Sequence, residues 1–244
     1  MSAAELLALV LGAAIVGFSK TAVSGVSTLA VVLYAVVLPV RESIGVLLVL
    51  LMAGDVLAVC IYRRHADWAT LRGLLLPVTV GIGAGAAFLA LAPTDWLRPL
   101  IGLVVVAMTL LQVRRRFAPG SGDAVNGGRP AAVGFGSLAG FTTMVANAGG
   151  PVMSLYLLRS RLEVARFVGT TAWFFACVNA TKLPISIGLG LLRPQRILLC
   201  LMLIPAVVVG ALVGRWTLSR ISQALFESVV LVVAGLSGAY LLFA

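Results

Sequence analysis

Six stretches of this chain, residues 43–62, 74–91, 97–113, 167–191, 197–213 and 225–242, are apolar over close to the ~20 residues that a helix needs to cross a bilayer. Runs of that length leave little choice of fold, because backbone N–H and C=O groups in lipid must be satisfied within the segment itself, as they are in an α-helix. The charged residues fall between the runs in short clusters such as Arg63-Arg64-His65 and Arg114-Arg115-Arg116. With 61% hydrophobic and 11% charged residues and a mean hydropathy of +1.12, the chain has too few polar side chains to cover a soluble domain. The expected fold is all-α and integral to a membrane, of the bacterial inner (cell) membrane type, with the lipid bilayer as a partner. Residues 6–18 lack the basic flank of a cleavable leader, so the first segment is expected to stay in the protein.

The net charge of +10 follows from arginine-rich loops, the usual pattern of helical membrane proteins, and does not point to nucleic acid. Cys60, Cys177 and Cys200 stand alone in apolar segments without CxxC spacing, which argues against thiol-redox chemistry, a disulfide framework or a metal site. They read as packing residues. HExxH, GxSxG and paired carboxylates at helical spacing are absent, and the chain has one histidine, His65, in an arginine-rich loop where it reads as solvated. Neither an enzyme nor a cofactor is expected. Gly81-Ile82-Gly83-Ala84-Gly85 lacks the strand and the lysine of a nucleotide loop and reads as helix packing, as do Gly210 and Gly214.

Two further apolar regions, 6–40 and 131–158, are each interrupted by a polar, glycine-bearing patch: Ser19 to Gly25 in the first, Thr142 to Pro151 in the second. Between the halves lies a loop-like linker at 117–130, which divides the chain into a first repeat (1–116) and a second (131–244). A shift of about 123 residues sets Gly17-Phe18-Ser19 on Gly140-Phe141-Thr142, and nearly the same shift sets Gly45 on Gly169 and Asp55 on Asn179. A slightly larger shift sets Pro77 on Pro205.

The arginine distribution bears on topology. If each broken region crosses once, nine arginines face seven; if each turns back as a hairpin, twelve gather on one side against Arg41, Arg98, Arg193 and Arg196. The second arrangement obeys the positive-inside rule. Each half is then a broken-helix hairpin plus three spans, an odd number of crossings, which favours an inverted repeat with both termini outside the cytoplasm. The first arm, 6–18, would be roughly 20 Å long at ~1.5 Å per residue, short of the ~30 Å core.

A break at membrane depth frees backbone N–H and C=O groups and persists only inside protein or beside a water-filled cavity. Half-helix N-termini aim N–H groups at the break, glycines let a ligand approach, and both suit an anion. The candidate substrate-binding residues at the breaks are Ser19, Lys20, Thr21, Ser24 and Gly25 in the first half and Thr142, Thr143, Asn147, Gly149 and Gly150 in the second. Asn179 and Lys182, three residues apart on one helix face before Pro184, join them. Asp55 is the candidate proton-coupling group. Simpler readings stand beside these: small residues that only let helices pack, lysines that snorkel or pair with Asp55, and a structural Asp55. Glu227, near the start of the last span, reads as interfacial.

Gly17-Phe18-Ser19-Lys20-Thr21 with Gly25, its repeat from Gly140-Phe141-Thr142 to Gly149-Gly150-Pro151, and Asn179-x-x-Lys182 before Pro184 together resemble the motifs of the sulfite exporter TauE/SafE family of membrane permeases. The resemblance covers essentially the whole chain. It implies transport of a small anion such as sulfite or a sulfonate. The first break departs from the family in having the single Gly25 where many members have a glycine pair. A secondary transporter is the expected function, with a passive anion channel and a non-transporting assembly subunit as alternatives. Oligomeric state is not legible from the sequence, and a homodimer is one arrangement open to it.

Overall fold

A computed structural model describes residues 2–22, 26–117, 129–159 and 164–217. The expected span at 225–242, Glu227, Ser24, Gly25 and most of the linker lie outside the described residues. Within them are nine α-helices and no strand: α1 (Ala3–Thr21), α2 (Ser27–Val37), α3 (Val40–Tyr62), α4 (Trp68–Leu91), α5 (Thr94–Phe117), α6 (Arg129–Ala146), α7 (Gly149–Arg159), α8 (Val164–Gly188) and α9 (Ile197–Thr217). Four helical segments are long and apolar enough to cross a membrane: Ala3–Thr21, Val40–His65, Trp68–Leu91 and Pro194–Trp216. Leu75, Leu76 and Val80 on α4 and Leu198, Leu201, Met202 and Leu212 on α9 are exposed, as side chains facing lipid would be. The chain is a helical integral membrane protein.

The first arm is longer than the sequence suggests. A capping box starts it upstream: Ser2 Oγ accepts from the Glu5 N–H at 3.2 Å, and Glu5 Oε2 accepts from the Ser2 N–H at 2.8 Å. Ser19-Lys20-Thr21, expected to lie in the break, continues the helix as its last turn. The 19 residues of α1 span about 28 Å at ~1.5 Å each, nearly the full core, whereas the 11 residues of α2 span about 16 Å. The second broken region has the same form, with 18 residues in α6 and 11 in α7.

At each break the chain turns back on itself. Tyr34 of α2 donates its hydroxyl to the Leu9 carbonyl of α1 at 2.8 Å, and its ring lies against Gly12. Across the second break the rings of Phe135 and Tyr156 lie 6.1 Å apart. Asn147 ends α6 with φ +52°, a left-handed conformation that asparagine tolerates better than most residues.

Two glycine seams join the halves. In the α1–α9 seam, a Cβ at Gly17 would overlap the Val207 carbonyl oxygen, and one at Gly210 would overlap that of Ala14. In the α4–α6 seam, Gly140 lies on the Val78 carbonyl and Gly81 on that of Ser137. Gly17 and Gly140 are the residues that the sequence shift pairs, so the two seams are built at matching positions. Such contacts let backbones approach closely, which is how helices gain packing energy where lipid removes the hydrophobic drive. We expect Gly81→Ala to destabilise the protein by about 1–3 kcal/mol through overpacking. Gly83→Ala, in the same helix but facing open space, should be neutral or stabilising by about 1 kcal/mol. Thermal unfolding of the two purified variants in detergent checks the contrast.

Candidate functional site

Helices α3 and α8 meet at the centre of the described structure, and Asp55 and Asn179 face each other there. Asp55 is 2% exposed, and its Oδ2 accepts from Asn179 Nδ2 at 2.6 Å. Lys20, in the last turn of α1, places its ammonium 2.6 Å from Asp55 Oδ1 and 4.4 Å from the centre of the Phe175 ring. The approach to Oδ1 is close but not along a hydrogen-bond direction, so that oxygen has charge compensation without a directed donor. The aromatic face and the carboxylate together make up for the water that the buried ammonium has lost.

Lys182 lies one turn beyond Asn179 and is fully buried. Its ammonium donates to the Thr143 carbonyl and Asn147 Oδ1, each at 2.6 Å, and lies 3.2 Å from Thr143 Oγ1 and 3.5 Å from Asn179 Oδ1. All four neighbours accept, which suits an ammonium. The Thr143 carbonyl belongs to the last turn of α6, where the helix dipole is negative, and it accepts the Asn147 N–H at 3.0 Å as well as the ammonium. Lys182 therefore holds the second break in shape. Asn147 extends the network by donating Nδ2 to the Ile44 carbonyl of α3 at 3.0 Å.

A cavity opens beside the Lys20–Asp55 pair. Of the residues singled out from the sequence, Ser19, Lys20, Asp55, Thr143, Asn147, Gly150 and Asn179 line it. Others lie off its wall. Thr21 donates its hydroxyl to the Ala211 carbonyl at 2.8 Å in the α1–α9 seam, and Thr142 donates to its own helix at the Leu138 carbonyl, 2.8 Å away. Gly149 packs against Thr143 and the Ala139 carbonyl, and Lys182 stands behind the wall. Ser19 Oγ accepts the N–H of Ser27, the first residue of α2, at 3.2 Å, so one free donor of that helix start is already satisfied.

Ser27, Leu51, Thr171, Ala172 and Phe175 also line the wall, and none of them stands out in the sequence by residue type. A signal for some of them was present. Thr171, Phe175, Asn179 and Lys182 recur at steps of four, four and three along α8, the spacing of one helix face. Leu51 stands four before Asp55 on α3 in the same way.

With Lys20 and Lys182 as ammonium groups and Asp55 as a carboxylate, the site has one more positive than negative charge, in a setting where an isolated charge is costly. Helical breaks, buried ions and a cavity in the membrane-crossing part of the molecule are the form of a membrane permease. The family model described as Sulfite exporter TauE/SafE matches residues 9–241, and the chain belongs to that family. It is accordingly a membrane transporter and not an enzyme. No curated protein and no solved structure matches the chain.

Proposed function

We propose that the protein is a secondary transporter that carries a small sulfur-containing anion, such as sulfite or a sulfonate, through the cavity beside Lys20, by alternating access. The observation that carries this reading is the Lys20–Asp55 pair on the cavity wall, an ammonium whose counter-ion an anionic substrate can replace. When the anion takes Lys20, Asp55 is left without its partner in a low-dielectric site, and taking up a proton removes that cost. One proton then moves with the anion. The N–H groups at the start of α7, where Gly150 lines the wall, offer further hydrogen bonds to it.

The halves in this reading form an inverted repeat in a bacterial inner membrane, with the arginine-rich loops in the cytoplasm and both termini outside. The matched glycine seams and the turn-back at each break support that arrangement. A carrier also fits better than a passive channel, because α3 and the turn after α8 meet at Gly45 without space between them.

The test is uptake of radiolabelled sulfite, sulfoacetate and taurine into proteoliposomes, with and without an inward proton gradient. Saturable uptake of an anion, accumulated against its gradient when protons flow inward, is the expected result. Flux that rises linearly with concentration and never accumulates would establish a channel instead. Saturable uptake indifferent to the proton gradient would remove the coupling role of Asp55 and leave the carrier.

A further inference from the structure

The charged groups that the cavity does not use gather at the Val40 end of α3. Glu42, in the first turn of that helix, is 7% exposed. Its Oε2 accepts from Arg196 Nε at 2.7 Å, and its Oε1 lies 3.3 Å from a guanidinium nitrogen of Arg193. The two arginines flank Pro194 and Gln195 in the turn between α8 and α9. One turn further into α3, the Leu191 carbonyl lies so close to Gly45 that no Cβ would fit. Between them, the Ile44 carbonyl accepts from Asn147, a residue of the cavity wall.

The cavity lies on the far side of this contact. Its wall on α3 is Leu51 and Asp55, and on α8 it runs from Asn179 back to Thr171, towards the start of that helix. The Tyr62 end of α3, towards which the cavity runs, is held by uncharged contacts instead. There the Asp67 N–H donates to Thr170 Oγ1 at 2.9 Å, Trp173 Nε1 donates to the Arg63 carbonyl at 3.3 Å, and the Trp68 and Trp173 rings lie 5.1 Å apart. Among the described residues that end has no ion pair, and Arg166, exposed, occupies the position in the second half that matches Glu42. Among the described residues, a charged latch is present at one end only.

We propose that Glu42, Arg193 and Arg196 form the latch of one of the two gates of the transport path, shut in this conformation, and that it opens once per cycle to connect the cavity with the Val40 end of α3. Glu42 is buried, but Arg193 and Arg196 reach solvent with side chains 65% and 31% exposed, which weakens the pairs by screening, so this latch closes a face without locking it. The bond from Asn147 to Ile44 ties the latch to the cavity, so a change at the site reaches the gate through one residue. The inference rests on the transporter reading for its cycle but not on which anion is carried.

The test needs no substrate. In a chain with Cys60, Cys177 and Cys200 replaced by alanine, a cysteine is introduced on the cavity wall by Ala172→Cys. Its labelling by a membrane-impermeant maleimide is then followed in right-side-out and inside-out vesicles. With the latch intact, labelling should come predominantly from the Tyr62 side. Glu42→Gln should raise labelling from the Val40 side about fivefold relative to the other. Combining Glu42→Arg with Arg193→Glu and Arg196→Glu should return the ratio to its starting value. Should Glu42→Gln not be recovered folded, Arg196→Gln removes the stronger bond from the more exposed partner and should shift the ratio the same way. An unchanged ratio in a folded variant, or an equal rise from both sides, would overturn the proposal, since the latter reports general loosening. Uptake failing for every anion while the labelling shift appears would count against the substrate assignment and not against the latch.

Discussion

Lys20→Gln is expected to abolish anion uptake and to destabilise the protein sharply, while Lys20→Gln combined with Asp55→Asn restores the stability and leaves uptake absent. The single change strands the Asp55 carboxylate, 2% exposed, without its cation. Breaking a buried pair from one side typically costs about 3–5 kcal/mol, whereas replacing both partners by neutral groups is often neutral. In the double variant Asn179 can still hydrogen-bond an amide at position 55, so the α3–α8 contact has no reason to part. Thermal unfolding in detergent and proteoliposome uptake, measured on the same preparations, separate the two effects. Uptake by the double variant at the unmodified rate would show that the pair is structural, the simpler of the readings that the sequence allowed.

Lys182→Met should be the second most damaging change, for a different reason. Read from the sequence, Lys182 touches the anion; in the structure it stands behind the cavity wall and ties the end of α6 to α8. Methionine fills similar space but leaves Asn147 Oδ1 without its donor, at about 1–3 kcal/mol for a buried group left unpaired, while the Thr143 carbonyl keeps only the Asn147 N–H. Asn147, no longer held, also loses its orientation towards Ile44. We expect a lower unfolding temperature together with loss of uptake. A Lys182→Met protein that unfolds at the unmodified temperature and loses only transport would return Lys182 to direct contact with the anion.

Much of this was legible in the sequence because membrane insertion makes it so. A lysine or carboxylate in an apolar run is costly enough that Lys20, Asp55 and Lys182 stand out from one chain, and a polar patch inside such a run marks a break with equal clarity. What escaped were groups whose type is ordinary for their surroundings. Phe175 is one aromatic among many apolar residues of α8, and only its spacing from Asn179 and Lys182 sets it on the wall. Thr21 was indistinguishable from Ser19 two positions away, yet the 100° step per residue turns one to the α9 seam and the other to the cavity. Arg193 and Arg196 were loop charges in the sequence and Glu42 stood out in no way, since nothing local says that the start of α3 meets the turn after α8. The extent of α1 was misjudged because Ser2 and Glu5, short polar residues outside the apolar run, cap it.

In the proposed transporter the cavity beside Lys20 holds the anion. Equilibrium binding of radiolabelled sulfite to purified protein tests it most directly, with the unmodified chain set against Lys20→Gln combined with Asp55→Asn. Saturable binding at one site per chain is expected in the first, and none in the second at an unchanged unfolding temperature. Equal binding by both would place the anion elsewhere and contradict it.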